Sequence, residues 1–225
     1  MQLEKLAIDK EGAQLFNAAL SVADLGDLET SLADTPRDRA GVRLHGIPEL
    51  RPVLAHSGVI GKTAASVLGE NVFAVRAILF DKNADANWAV AWHQDRTIAV
   101  QQRIDVSGFG PWSVKSGMVH VEPPFELLAR MVTLRVHLDP VPKTNAPLLI
   151  APGSHNLRRI PESSVLEVVE HCGIIECLAE AGDIWMYSTP ILHSSEAAVV
   201  PGHRRVLQVD YAVGQLPGGL QWLGV

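Results

Sequence analysis

From Val72 onward the chain never runs long without interruption. Short stretches rich in Val, Ile, Leu and aromatic residues are cut by clusters of Gly, Pro, Asn and Asp. The β-type runs are Val72–Phe80, Thr97–Ile104, Val119–Glu122, Met131–Leu138, Pro147–Ala151, Ile174–Leu178, Asp183–Tyr187, Ile191–Ala197 and Arg204–Ala212. Between them, Asp81–Trp88, Asp105–Gly117 and Pro140–Asn145 read as loops, and Pro161–His171 reads as a helix opened by Pro-Glu. Roughly nine short strands with few helices between them leave no room for a βαβ sheet and predict an antiparallel sandwich or barrel.

The first third has a different texture. Leu15, Phe16, Ala19 and Leu20 lie on a helical stripe with Asp9 placed to cap it, and Leu25, Leu28 and Leu32 continue the spacing until Thr35-Pro36. A further helix is expected over Pro48–Leu68, with Pro52 and Gly61 inside it. No repeat or low-complexity linker separates the two parts. The expected organisation is one domain over residues 1–225, with a helical layer (1–70) packed on a β core (71–225).

Charge and cysteine content remove several classes of function. A net charge of −6 offers no basic footprint for nucleic acid or an anionic membrane. Cys172 and Cys177 alone, spaced Cys-x4-Cys without a second pair, exclude a disulfide-dense scaffold and a cysteine-rich zinc fold. Glu4, Lys5, Asp9, Lys10 and Glu11 break up the start of the chain, so no signal peptide is read there, and no run is long enough to span a membrane. The expected location is the cytoplasm; the sequence says nothing of oligomeric state.

The segment Trp92-His93-Gln94-Asp95 carries the first chemical signal. In extended backbone, residues i and i+2 share a face, so His93 and Asp95 can reach one point and supply two of the three ligands of a facial iron triad. The plain alternative is a surface loop with a local hydrogen bond. His193, in Ile191-Leu192-His193-Ser194-Ser195, is either a third ligand or a core histidine bonded to a carbonyl. Eleven residues further on, the run Arg204–Ala212 begins. Its alternation assigns Arg205, Leu207, Val209 and Tyr211 to a face under the helices and Arg204, Val206, Gln208 and Asp210 to a polar cavity. A guanidinium in such a wall is a two-pronged carboxylate receptor; otherwise it is an exposed strand charge.

Four elements in register, Trp92-His93-Gln94-Asp95, Pro147–His155 with its Pro-Gly-Ser-His turn, Gly182-Asp183, and His193-Ser194-Ser195 followed by Arg204-Arg205, resemble the phytanoyl-CoA dioxygenase family. The resemblance covers about Val72 to Ala212. It implies a double-stranded β-helix, that is, a jelly-roll, cupin-like core, and a non-haem Fe(II)- and 2-oxoglutarate-dependent dioxygenase. His93, Asp95 and His193 take the role of iron ligands and Arg204 that of anchor for the 2-oxoglutarate carboxylate. The implied reaction consumes O2, releases succinate and CO2 and oxidises a small-molecule C–H bond. Asp95 favours hydroxylation, because related halogenases lack that carboxylate. One departure is Ala146, where the family usually has Gly before Pro-Leu.

Other residues have weaker claims. Arg76 alternates with Ile78 and Phe80 and faces either cavity or solvent. Asn87, Trp88 and Trp92 lie close before the iron motif and line the site or pack. The loop Asp105–Gly117 is a lid or an ordered surface loop, and Lys115 in it helps an anionic substrate or is solvated. His155 fixes its turn, and His120 and His137 stand in β alternation as metal ligands only if the triad is wrong. Two rival functions remain: a cupin-like metal-binding isomerase or non-catalytic sensor, and a structural domain with packing histidines. Arg204 speaks against the sensor, which has no use for a buried guanidinium.

Overall fold

The computed structural model describes residues 6–36 and 41–225; the first five residues of the expected helical layer, and 37–40 within it, lie outside the description. In chain order the elements are β1 (Ala13–Phe16), α1 (Val22–Ser31), β2 (Gly41–Leu44), α2 (Leu50–Leu54), α3 (Gly61–Leu68), β3 (Val72–Lys82), β4 (Val90–His93), β5 (Ile98–Val100), β6 (Trp112–Lys115) and β7 (Met118–Val121). Then follow α4 (Phe125–Leu128), β8 (Val132–His137), β9 (Leu148–Ile150), α5 (Val165–Cys172), β10 (Ile175–Cys177), β11 (Ile184–Ser188), β12 (His193–Ser195) and β13 (Arg204–Val213). Antiparallel pairing gives a six-stranded sheet, β1-β11-β8-β13-β3-β2, a four-stranded sheet, β10-β9-β12-β4, and a three-stranded sheet, β5-β7-β6. This is the jelly-roll architecture. Among the described residues, no helix is long and apolar enough to cross a membrane.

Strand alternation sets the two faces of the larger sheet. Leu207, Val209 and Tyr211 of β13, with Leu134 and Val136 of β8, bury against Leu28, Leu50, Leu54, Ile60 and Ala64 from the helical layer. Side chains one residue away, Arg204 and Gln208 of β13 and Arg135 of β8, point inward to a cavity. In β3 a bulge makes Asp210 and Tyr211 oppose Arg76 and Ala74, leaving Val75 as the extra residue. The bulge switches parity, so Arg76 joins the cavity while Val72 and Ala77 both stay with the helix-side core.

Several sequence expectations are corrected. Leu15 and Phe16 are not helical: Ala13–Phe16 pairs with Ile184–Tyr187 as an edge strand, and Ser21 with Asp24, not Asp9, caps the first helix. The free edge of β11 supplied backbone partners that the local stripe could not reveal. Gly41–Leu44 likewise adds to β3 at the opposite edge, so both rims of the six-stranded sheet come from the supposed helical layer. The helix expected over Pro48–Leu68 is two, α2 and α3. Pro52 sits within the first turn of α2, where its missing N–H is harmless. The chain then folds back so tightly that a Cβ on Gly61 would lie 1.9 Å from the Ala55 carbonyl oxygen. Within Asp105–Gly117, expected as loop, β6 forms, and Phe109 and Trp112 pack into a core cluster rather than capping a site. The run Ile191–Ala197 shortens to His193–Ser195, and Thr97–Ile104 to Ile98–Val100.

Candidate metal centre and cosubstrate cavity

His93 closes β4 and His193 opens β12, and the two residues are direct cross-strand partners. Their rings stand 4.3 Å apart between centroids. Asp95 follows two residues after His93, and one ligand atom from each of His93, Asp95 and His193 lies within 4.8 Å of the others. Each histidine's Nδ1 donates to the carbonyl two residues earlier, His93 to Ala91 at 2.8 Å and His193 to Ile191 at 2.9 Å. A carbonyl only accepts, so Nδ1 carries a proton in each ring and Nε2 is the nitrogen left for a ligand bond. Burial, with His93 alongside, pushes the His193 imidazole down to about 4, leaving it neutral at physiological pH.

The carboxylate is held by charge. Arg76 Nη2 donates to Asp95 at 3.2 Å and its Nε to Asp210 at 2.5 Å, and Thr133 Oγ1 donates to the other Asp210 oxygen at 3.0 Å. Burial alone would raise the Asp95 carboxyl, but Arg76 and the two imidazoles hold it below its ordinary range. Asp210 goes the other way: burial and the nearby Asp95 raise it despite Arg76. Two imidazoles and one carboxylate on one side of a cavity match the donor set of a facial triad for Fe(II).

Backbone around the triad is fixed by other side chains of the same motifs, to which the sequence reading assigned no bonding role. Gln94 points away from the cavity and satisfies three backbone groups: its Nε2 donates to Pro190 and Arg158 carbonyls, and its Oε1 accepts from Ile160 N. Ser154 of the Pro-Gly-Ser-His turn accepts from Leu192 N at 2.9 Å, tying that turn to the strand carrying His193. Asp183 of the Gly-Asp pair accepts from the backbone of Ala18 and Glu180, anchoring the chain just after β1.

A cavity of about 230 Å3 opens between the sheets beside the triad. Arg204, 2% exposed, lines it; Nη1 donates to the Ala146 carbonyl while Nε is buried without a partner among the described residues. Burial and the neighbouring Arg135 lower Arg204 to about 9, still cationic near neutrality. Arg205 faces outward, with Nε and Nη2 both on Asp139 and Nη2 also on Glu29 of α1. Arg135 donates to Gln208 at 3.0 Å, and Lys82 Nζ, lowered to about 8 by burial and by Arg204 and Arg135, donates to Ser195 and the Glu196 carbonyl. Ala146 has φ of 52°, a left-handed conformation, which is the physical reason glycine suits that position.

The remaining candidates separate cleanly. Arg76, Trp88 and Lys115 line the cavity, whereas Trp92 packs beside Ile160 and Leu192 and Asn87 bonds to the backbone of Ala198. His120 and His137 are buried but are not part of the three-ligand cluster, His155 stands against Gly12, and Cys172 and Cys177 are free thiols. A larger open groove of about 980 Å3, bordered by Pro147, Leu149, Ile174 and Val199, holds none of the triad.

A jelly roll whose cavity is lined by two histidines, an aspartate and a buried arginine that has no carboxylate partner among the described residues has the construction of a non-haem iron oxygenase that uses a 2-oxo acid. Residues 27–206 match the family model for phytanoyl-CoA dioxygenase, and the chain belongs to that family. The protein is a non-haem Fe(II)- and 2-oxoglutarate-dependent dioxygenase. No curated protein matches its sequence. Its fold is similar to EctD from S. alaskensis with 2-oxoglutarate and 5-hydroxyectoine (TM-score 0.69, 20% identity, 97% of this chain and 78% of that one). It is also similar to AviO1 from Streptomyces viridochromogenes Tue57 (TM-score 0.64, 18% identity, 96% and 95%). HygX from Streptomyces hygroscopicus with nickel and 2-oxoglutarate bound gives a TM-score of 0.61 at 12% identity, covering 92% and 84%.

Proposed function

We propose that the protein hydroxylates a C–H bond of a small molecule, with His93, Asp95 and His193 holding Fe(II) and Arg204 holding the distal carboxylate of 2-oxoglutarate. The observation that carries this reading is the convergence of three ligand atoms within 4.8 Å on the cavity that also contains Arg204. Bound iron with 2-oxoglutarate and O2 supplies the oxidising power, releasing succinate and CO2. The protein's own contribution is to fix three donors on one side, orient the keto acid and exclude water. Nδ1–H donation to Ala91 and Ile191 locks both imidazoles in the binding tautomer, and Arg76 keeps Asp95 ionised and aimed. Arg204 fixes the far end of 2-oxoglutarate by charge-assisted hydrogen bonds. The presence of Asp95 supports hydroxylation over halogenation.

We further propose that residues 1–225 act as one domain and that the protein works in the cytoplasm, where reduced iron and 2-oxoglutarate are supplied. Anaerobic reconstitution with Fe(II), followed by metal analysis, tests the ligand set. Wild-type protein should hold one iron per chain, and the double variant Asp95→Ala/His193→Ala should hold none above background. Unchanged iron in that variant rejects the triad. Succinate formation after oxygen is admitted, followed across candidate metabolites, identifies the substrate.

A further inference from the structure

The charge of the cavity exceeds what its cosubstrate can balance. Arg43, Arg76, Lys115, Arg135 and Arg204 face it, against the single carboxylate of Asp95. Arg76 is engaged by Asp95 and Asp210, and Arg135 and Arg204 stand together at the cosubstrate end. Arg43 and Lys115 are left, and they arrive from separate parts of the chain.

Arg43 lies on edge strand β2 opposite Ile78, itself part of the cavity wall. Lys115 ends β6, opposite Met118, so Ser116-Gly117 is a two-residue hairpin turn. Both turn residues are left-handed, with φ of 51° and 78°, the arrangement in which Gly117 is readily accommodated. The turn sets Ser116 Oγ 3.4 Å from Arg43 Nη1, and Lys115 Nζ donates to Thr97 Oγ1 at 3.2 Å. Among the described residues, Arg43 Nε is buried without a hydrogen-bond partner. Among the described residues neither cation has a carboxylate within ion-pair distance. Burial, Arg76 and, for Lys115, Arg43 itself all work against these charges, and Asp95 alone favours them. Two cations held in this way beside the triad are an anion receptor.

We propose that Arg43 and Lys115 recognise the substrate, and that the substrate is a small molecule carrying a carboxylate or phosphate group. The proposal rests on the dioxygenase reading and adds the class of molecule. At about 230 Å3 the cavity is below the ~300–1,000 Å3 typical of sites for drug-sized ligands, so the anion is small. Its oxidised carbon is the part that reaches from these two residues toward the triad.

The test uses anaerobic protein with Fe(II) and saturating 2-oxoglutarate, read first for the absorption of the iron chelate. Failure to form that band overturns the dioxygenase reading and the proposal with it. With the band present, short-chain carboxylates and phosphate monoesters are titrated beside their neutral amides and alcohols. Binding is followed by the shift of the band and by line broadening of ligand proton resonances. At least one acid series should bind about tenfold or more tightly than its neutral counterparts, and the better series identifies the head group. Arg43→Gln and Lys115→Gln should each remove most of that preference, Lys115→Arg should retain it, and Lys115→Glu should abolish it without disturbing the turn. Equal binding of acids and neutral analogues overturns the proposal alone. So does an acid preference that survives every substitution, or acids that erase the band by displacing 2-oxoglutarate.

Discussion

Arg76 connects the stability of the β core to the metal site, and its replacement separates the two. The guanidinium bridges Asp95 at 3.2 Å and Asp210 at 2.5 Å, in side chains 9% and 3% exposed for the inner pair. In Arg76→Met, Asp210 keeps only the Thr133 hydroxyl, at 3.0 Å. Breaking a buried pair on one side costs about 3–5 kcal/mol, because the remaining charge is stranded. Burial already raises the Asp210 carboxyl, so proton uptake limits the loss, and we expect about 3 kcal/mol. The double variant Arg76→Met/Asp210→Leu replaces both charges with apolar groups and should recover most of that loss. Neither variant restores the partner of Asp95, so Fe(II) affinity should fall about tenfold to a hundredfold in both. Loss of Arg76 also lets burial raise the Asp95 carboxyl, so Fe(II) should dissociate at a higher pH than from wild type. Urea denaturation gives the stabilities and anaerobic calorimetry the affinities. A loss below about 1 kcal/mol in Arg76→Met, the size of an exposed ion pair, would refute the stranded-charge argument. Wild-type Fe(II) affinity in the double variant would refute the orienting role.

Arg204→Ala should weaken 2-oxoglutarate at least about tenfold to a hundredfold in an anaerobic titration, with Arg204→Lys recovering only part. Arg205→Ala should leave that affinity unchanged while lowering the urea midpoint by the equivalent of about 1–2 kcal/mol, through loss of Asp139 and Glu29; the reverse pattern would place the wrong face of β13 inward. Ala146→Gly relieves a left-handed alanine, and its gain of about 0.5–1 kcal/mol, net of the greater freedom of unfolded glycine, should appear as a higher melting temperature. His137 is buried with neither ring nitrogen partnered among the described residues, and burial followed by Arg135 and Arg204 holds it well below its ordinary value of 6.5. The unfolded chain therefore binds more protons below that pH, so stability present above it is lost as pH falls, at about 1.4 kcal/mol per unit. His137→Leu should flatten that slope between about pH 6.5 and pH 5 in urea titrations.

The inward and outward sets of β13 were legible because alternation depends only on a residue and its neighbour two positions on. The same local rule brought His93 and Asp95 to one side. It failed at Ala13–Phe16, where Leu15, Phe16, Ala19 and Leu20 satisfy a helical period, yet hydrogen bonding to β11 decides the outcome. It grouped Arg76 correctly with Ile78 and Phe80 but left that face between cavity and solvent, because which side of β3 is enclosed is settled only when the sheets pack.

By itself the sequence determined the β-rich core, the order of its four motifs and the face on which Arg204 lies, since each is written in short-range spacing. Tertiary structure decided everything that depends on register between distant strands. The pairing of His93 with His193 closes the triad, the Arg76–Asp210 bridge joins residues 134 apart, and the β6–β7 turn brings Lys115 and Arg43 to one cavity. Such contacts are fixed by which strand edges remain free to pair and by which charges are buried together, and neither quantity exists until the chain has folded.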